Sequence, residues 1–160
     1  MAQVLCTRSL VRPGYPNRKA DCAVAFRHAR EAIALDPYDP RCHISMAWNW
    51  LIARSSERAN THFRMAVDLN PNDSEALIAA ACGLAFLGHI GDAKRLADKA
   101  VQMNPVYPEY YTDYLSAIQF LDEDYAATIE TVEKCYEGFP DRSALAAAAW
   151  ALLGRTSEAD

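Results

Sequence analysis

Cys42 and His43 stand side by side, and with His28, His62, His89 and the other cysteines they are the side chains of this 160-residue chain best suited to bind a metal. A metal centre needs such residues to converge, through a C-x-x-C pair or through spacing that places two ligands on one helical face. Neighbours on a helix point in different directions, so Cys42 and His43 are not expected to share an ion. The histidines are scattered, and Cys6, Cys22, Cys42, Cys82 and Cys135 lie far apart with no C-x-x-C among them. An odd number leaves at least one thiol unpaired, and reduced, buried thiols are the expectation. The carboxylates of "DEDY" (Asp122 to Tyr125) have no twelve-residue loop of alternating oxygen ligands around them, which makes them a solvated turn and not a calcium site. Six glycines form neither G-x-G-x-x-G nor G-x-x-x-x-G-K-[ST], so no phosphate loop is expected. No nucleophile pairs with a base either. The sequence therefore predicts no catalytic residue, no metal, no cofactor and no enzyme.

Bulk properties narrow the remaining classes. A chain with 51% hydrophobic and 23% charged residues can bury the core of one ordinary domain. A net charge of −5 argues against a nucleic-acid surface, which needs a basic stripe to displace counterions. The longest apolar run, "SALAAAAWALLG" from Ser143 to Gly154, is shorter and more alanine-rich than the roughly 20 apolar residues of a membrane span. The opening "MAQVLCTRSLVRPG" lacks the charge arrangement of a secretory signal, and a cytoplasmic location is expected.

The elements that would position any site announce themselves by repetition. "AIALDPYDP" (Ala32 to Pro40) is echoed by "AVDLNPNDS" (Ala66 to Ser74) and "AVQMNPVYP" (Ala100 to Pro108), and Pro37, Pro71 and Pro105 are spaced 34 residues apart. A fixed period of that size is the mark of a repeat architecture. Before each proline lies a trio at helical spacing: Ala25, Ala29 and Ala32; Ala59, Phe63 and Ala66; Ala93, Ala97 and Ala100. Spacings of four and three stack side chains on one helical face, and small residues leave room for a close neighbour. After each proline a second amphipathic face follows: His43, Met46, Ala47 and Trp50; Leu77, Ala80, Ala81 and Leu84; Tyr111, Tyr114, Leu115 and Ile118. The proline falls between two helices, where its missing N–H and its clash with the preceding turn enforce the stop. The expected fold is all-α, built of antiparallel helix pairs.

This arrangement resembles the tetratricopeptide repeats, with their pattern W-x-x-L-G-x-x-Y, then A-x-x-x-F, then P in 34 residues. The resemblance is strongest from Ala25 to Pro105, and Ala59 with Phe63 matches A-x-x-x-F as written. Met46-Ala47, Ala80-Ala81 and Tyr114-Leu115 stand where the family has Leu-Gly, which widens the helix contact at Leu115. The resemblance implies an α–α superhelix of about four repeats, with first helices lining a concave groove for a protein or peptide partner. Groove positions would be Arg41, Ile44, Trp48 and Leu51, then Glu75, Ile78, Cys82 and Ala85, then Glu109, Thr112, Ser116 and Gln119. Trp48 with Ile44 and Ile78 would anchor the guest unless the N-terminal segment folds over Trp48. Chaperone-binding members grip a C-terminal carboxylate with lysine and asparagine here. Glu75 and Glu109 would repel such a tail, so a basic or apolar segment is the expected guest. The run "YPEYYTDY" (Tyr107 to Tyr114) offers a second surface, although Tyr111 and Tyr114 fall on the packing face. The wording also looks like the tetratricopeptide tails of bacterial adenylate or guanylate cyclases and of some winged-helix regulators, which implies a regulatory module of a signalling protein.

The ends depart from the pattern. Residues 1–19, containing Pro13, Gly14 and Pro16, read as an irregular segment with one short helix from Met1 to Leu10, and residues 20–160 read as the repeat domain. A fourth unit runs to Pro140, 35 after Pro105; because Phe86-Leu87 recur 34 later as Phe120-Leu121, the added residue lies beyond Leu121, in the acidic turn. Its trio becomes Thr128, Val132 and Cys135. In the next helix "ALAAAAWALL" is apolar all round, as suits a helix covered on both sides. A missing continuation or another subunit would cover it. A reading from a different class follows: a structural oligomerisation element, homodimeric through the Trp150 region.

Overall fold

Proline, asparagine and aspartate punctuate the chain often enough to cut it into helices of similar length. The computed structural model describes residues 18–134 and 140–155, and these form eight helices and no strand. In order they are α1 (Arg18–Leu35), α2 (Pro40–Ile52), α3 (Ser56–Leu69), α4 (Ser74–Phe86), α5 (Ile90–Met103), α6 (Tyr111–Leu121), α7 (Tyr125–Glu133) and α8 (Pro140–Leu152). The first seventeen residues, with the short helix expected there, lie outside the described residues. No helix among the described residues is long and apolar enough to cross a membrane.

Two kinds of corner alternate. Helices α1, α3 and α5 close with bonds from the N–H of Asp36, Asn70 and Asn104 to the carbonyls of Ala32, Ala66 and Ala100, and the chain then passes through Pro37, Pro71 and Pro105. Asp39 and Asp73 open the next helices by capping orphan N–H groups: Asp39 accepts from Arg41 at 2.9 Å, and Asp73 accepts from Glu75 and Ala76 at 3.0 Å each. The third copy differs. Pro108 occupies the position where helix α6 would begin by register, and the helix starts at Tyr111 without a side-chain cap.

The other corner follows α2, α4, α6 and α8. Arg54, Gly88, Glu123 and Gly154 take φ values of 59°, 84°, 62° and 76°, and the next residue's N–H bonds back five positions, Ser55 to Trp50, His89 to Leu84, Asp124 to Gln119 and Arg155 to Trp150. This is the Schellman closure, in which a left-handed residue lets the chain reverse and satisfy the last carbonyls. Arg54 and Gly88 are 34 apart while Gly88 and Glu123 are 35 apart. The added residue of the fourth unit is thus absorbed at the end of α6, where Asp122 is the C-cap.

The core forms where the small-residue faces meet. Eight members of the three trios are buried and Ala32 is half-buried. Phe63 is the knob: its ring lies so close to α4 that a Cβ placed on Gly83 would sit 2.0 Å from its Cζ. Gly83 therefore sets the close approach of α3 to α4, two residues beyond the Ala80-Ala81 pair. From Ala76 to Ala85 every residue of α4 is buried, among α2, α3, α5 and α6. The extensive packing joins each helix to its chain neighbour, and links α2 to α4, α4 to α6 and α6 to α8. In the fourth unit Thr128 is buried and Val132 half-buried, while Cys135 lies outside the described residues. On α8 only Ala149 is buried among the described side chains; Leu145 packs against the core.

Candidate interaction surface

The twelve groove positions expected to meet a partner fall on the first helices after each proline turn, α2, α4 and α6, except Glu109, which lies just before α6. The structure buries seven of them: Ile44, Trp48, Ile78, Cys82, Ala85, Thr112 and Ser116. Leu51 is half-buried against the core, Gln119 is half-buried, and Arg41, Glu75 and Glu109 are exposed. Neighbouring helices of this row touch one another, so side chains aimed along the row are absorbed in packing.

Each buried member has a local reason. Trp48 is 8% exposed because it packs edge-on to Phe63, with centroids 5.5 Å apart, and to Phe86 at 6.1 Å. Ser116 Oγ donates to the Asp113 carbonyl at 3.2 Å, and Thr112 Oγ1 donates to the Glu109 carbonyl at 2.5 Å, so both hydroxyls are satisfied by carbonyls three residues back. Burial, followed by the Asp113 charge, pushes the Cys82 thiol far above its ordinary range, which leaves it protonated and chemically quiet.

What remains accessible is a face with two unlike ends. Phe86 is 53% exposed and rests on Trp48, giving an aromatic step. Glu75 and Glu109 give the acidic end, and Tyr110, 38% exposed, stands beside Glu75. Burial and the hydrogen bond to Glu75 raise the Tyr110 phenol, so it remains a donor to that carboxylate. Arg41 carries the positive charge expected on this row, but its Nη2 lies 2.7 Å from Asp39, which offsets it. The Arg41 guanidinium in turn holds the Asp39 carboxyl below its usual range. Glu75 and Phe86 are eleven residues apart, three helical turns and about 16 Å along one face of α4. Between them lie the small side chains of Ala79 and Cys82.

Phe86 is a residue that the sequence placed only as a register mark. Its signal is the recurrence of Phe86-Leu87 as Phe120-Leu121, one position beyond the groove residue Ala85. Nor are the histidines all scattered, because the fold brings His43 Nδ1 to 3.1 Å from His62 Nδ1. In "YPEYYTDY", Tyr111 is fully buried, stacked on Tyr107 and hydrogen-bonded to Ser74 Oγ at 3.2 Å, and Tyr114 is half-buried. No group of three or more His, Cys, Asp or Glu among the described residues could hold a metal ion. No family model and no curated protein matches the chain in sequence.

Proposed function

We propose that this chain is a non-catalytic interaction scaffold of the tetratricopeptide type: an α–α superhelix of about four repeats that holds a peptide or protein segment along α2, α4 and α6. The observation that carries the reading is the pairing on α4 of an exposed aromatic, Phe86, with an exposed carboxylate, Glu75, across a floor of small side chains. An extended segment covers about 16 Å in roughly five residues. The guest is therefore a short stretch with an apolar side chain for the Phe86–Trp48 step and a lysine or arginine for Glu75 and Glu109. Such a module works in the cytoplasm as the regulatory part of a bacterial signalling protein, a reading that rests on the family resemblance; the fold by itself does not give function.

Selection of peptides from a random library on the purified protein tests this. A consensus of one apolar and one or two basic residues is expected, with affinity reduced about tenfold or more by Glu75→Lys with Glu109→Lys, and by Phe86→Ala. An acidic consensus, or binding indifferent to all three substitutions, overturns the reading.

A second reading has its own observation. Leu152 and Leu153 are 58% and 46% exposed at the end of α8, beside Trp150, whose ring is covered by the Arg155 guanidinium at 4.1 Å. Twofold pairing through this patch would make the chain a homo-oligomerisation element. Light scattering decides it: a monomer at every concentration removes this reading.

A further inference from the structure

His43 is 4% exposed at the start of α2, and both of its ring nitrogens are engaged. Nε2 lies 2.9 Å from the Pro37 carbonyl oxygen, which can only accept, so Nε2 carries the proton and donates. Nδ1 lies 3.1 Å from Nδ1 of His62 on α3, with the rings stacked at 26° and centroids 5.3 Å apart. Two nitrogens that close need one hydrogen between them. With Nε2 donating, neutral His43 must accept at Nδ1, and His62 must donate from its Nδ1. The contact ties three places together: the α1–α2 turn at Pro37, the first turn of α2, and the middle of α3.

We propose that His43 and His62 form a one-proton clamp that makes the pairing of α2 with α3 acid-sensitive. The pair tolerates one imidazolium, because a proton added at His62 Nε2 leaves the shared hydrogen in place. A second proton sets two N–H groups and two positive charges against each other at 3.1 Å, and the clamp opens. The Asp39 carboxylate of the α1–α2 turn, which is engaged by Arg41, interacts with His43. Asp36 of the same turn accepts from the Tyr38 N–H, Cys42 next to His43 has its thiol raised by burial, and α3 contributes His62 itself. Burial, and then the nearness of His43, lower the pKa of His62. In the unfolded chain the His62 imidazole takes a proton near pH 6.5, whereas in the folded chain it does so only at lower pH. The unfolded state thus binds more protons below that pH, so stability present above about pH 6.5 is lost as the pH falls.

Urea unfolding of the full chain at several pH values tests the clamp. Between pH 6.5 and 5 the wild-type unfolding constant should rise as the pH falls, by up to about tenfold per pH unit through this pair. His62→Gln should remove that dependence, while His89→Gln, at the exposed N-cap of α5, should keep it. Nitrogen NMR of the wild-type imidazoles gives an answer without any variant: His43 protonated at Nε2 and His62 at Nδ1 at neutral pH. A His62→Gln protein with the wild-type pH slope overturns the proposal. So does a folded wild-type protein at pH 5 in which both rings are fully protonated.

Discussion

Phe63 fills a socket made of Trp48 on one side and the bare backbone of Gly83 on the other. Truncation to alanine empties a fully buried aromatic volume, and Phe63→Ala is expected to cost about 3–5 kcal/mol in chemical denaturation. The opposite error is expected from Gly83→Ala. Helix propensity favours alanine by about 1 kcal/mol, but the new methyl would overlap the edge of the Phe63 ring, 2.0 Å from Cζ, and overpacking of about 1–3 kcal/mol outweighs it. Combining Gly83→Ala with Phe63→Leu should recover part of that loss, because the two residues share one contact and their effects do not add. The knob was legible from its register: Phe63 stood at a position where the other copies carry alanine, Ala29 and Ala97. Its socket was not, because Gly83 lies outside the offsets that the repeat makes visible. The His43–His62 contact was hidden for a related reason. It joins a residue of one face to a neighbour of another, and no spacing within a single helix points to it.

At the scale of the helix, capping separates copies that look alike. Asp73 satisfies two N–H groups of α4, whereas Ser55 before α3 makes no side-chain cap bond. Asp73→Ala should therefore lose about 1 kcal/mol and Ser55→Ala markedly less, as read from urea midpoints of the two variants. The Schellman corners give a test of opposite sign. Arg54 and Glu123 hold left-handed backbone that costs a residue with a Cβ roughly 1–2 kcal/mol and costs glycine little. Arg54→Gly and Glu123→Gly should each raise the melting temperature, while Gly88→Ala should lower it although nothing crowds a Cβ there. Helix existence was legible because prolines and small-residue faces recur together. Two of the four left-handed corners were marked by glycine, at Gly88 and Gly154. The other two were silent, since arginine and glutamate carry no such signal and tertiary packing imposes the conformation on them.

Across the molecule, packing runs between near neighbours in the chain, and exposed ion pairs follow the same rule. Arg64 on α3 reaches Asp92 on α5 at 2.8 Å, and Lys94 on α5 reaches Asp122 at the end of α6, each pair 28 residues apart. Arg95 and then Arg64 hold the Asp92 carboxyl below its usual range. Solvent screens such pairs, so raising the salt concentration should change stability little. The accessible face was only partly legible for a reason that belongs to this scale. Helical spacing said which residues share a side of one helix, and Arg41, Glu75 and Glu109 remain exposed, but how tightly α2, α4 and α6 crowd one another is a property of the assembled row. That crowding took Trp48, Ile78 and Cys82 into the interior and left Phe86 outside. A row whose extensive packing, among the described residues, runs between near helices has no single keystone. Pulled from its two ends in an optical trap, the protein should pay out in steps of one or two helices, each with its own rupture force, and should shorten again by the same steps when the tension is relaxed.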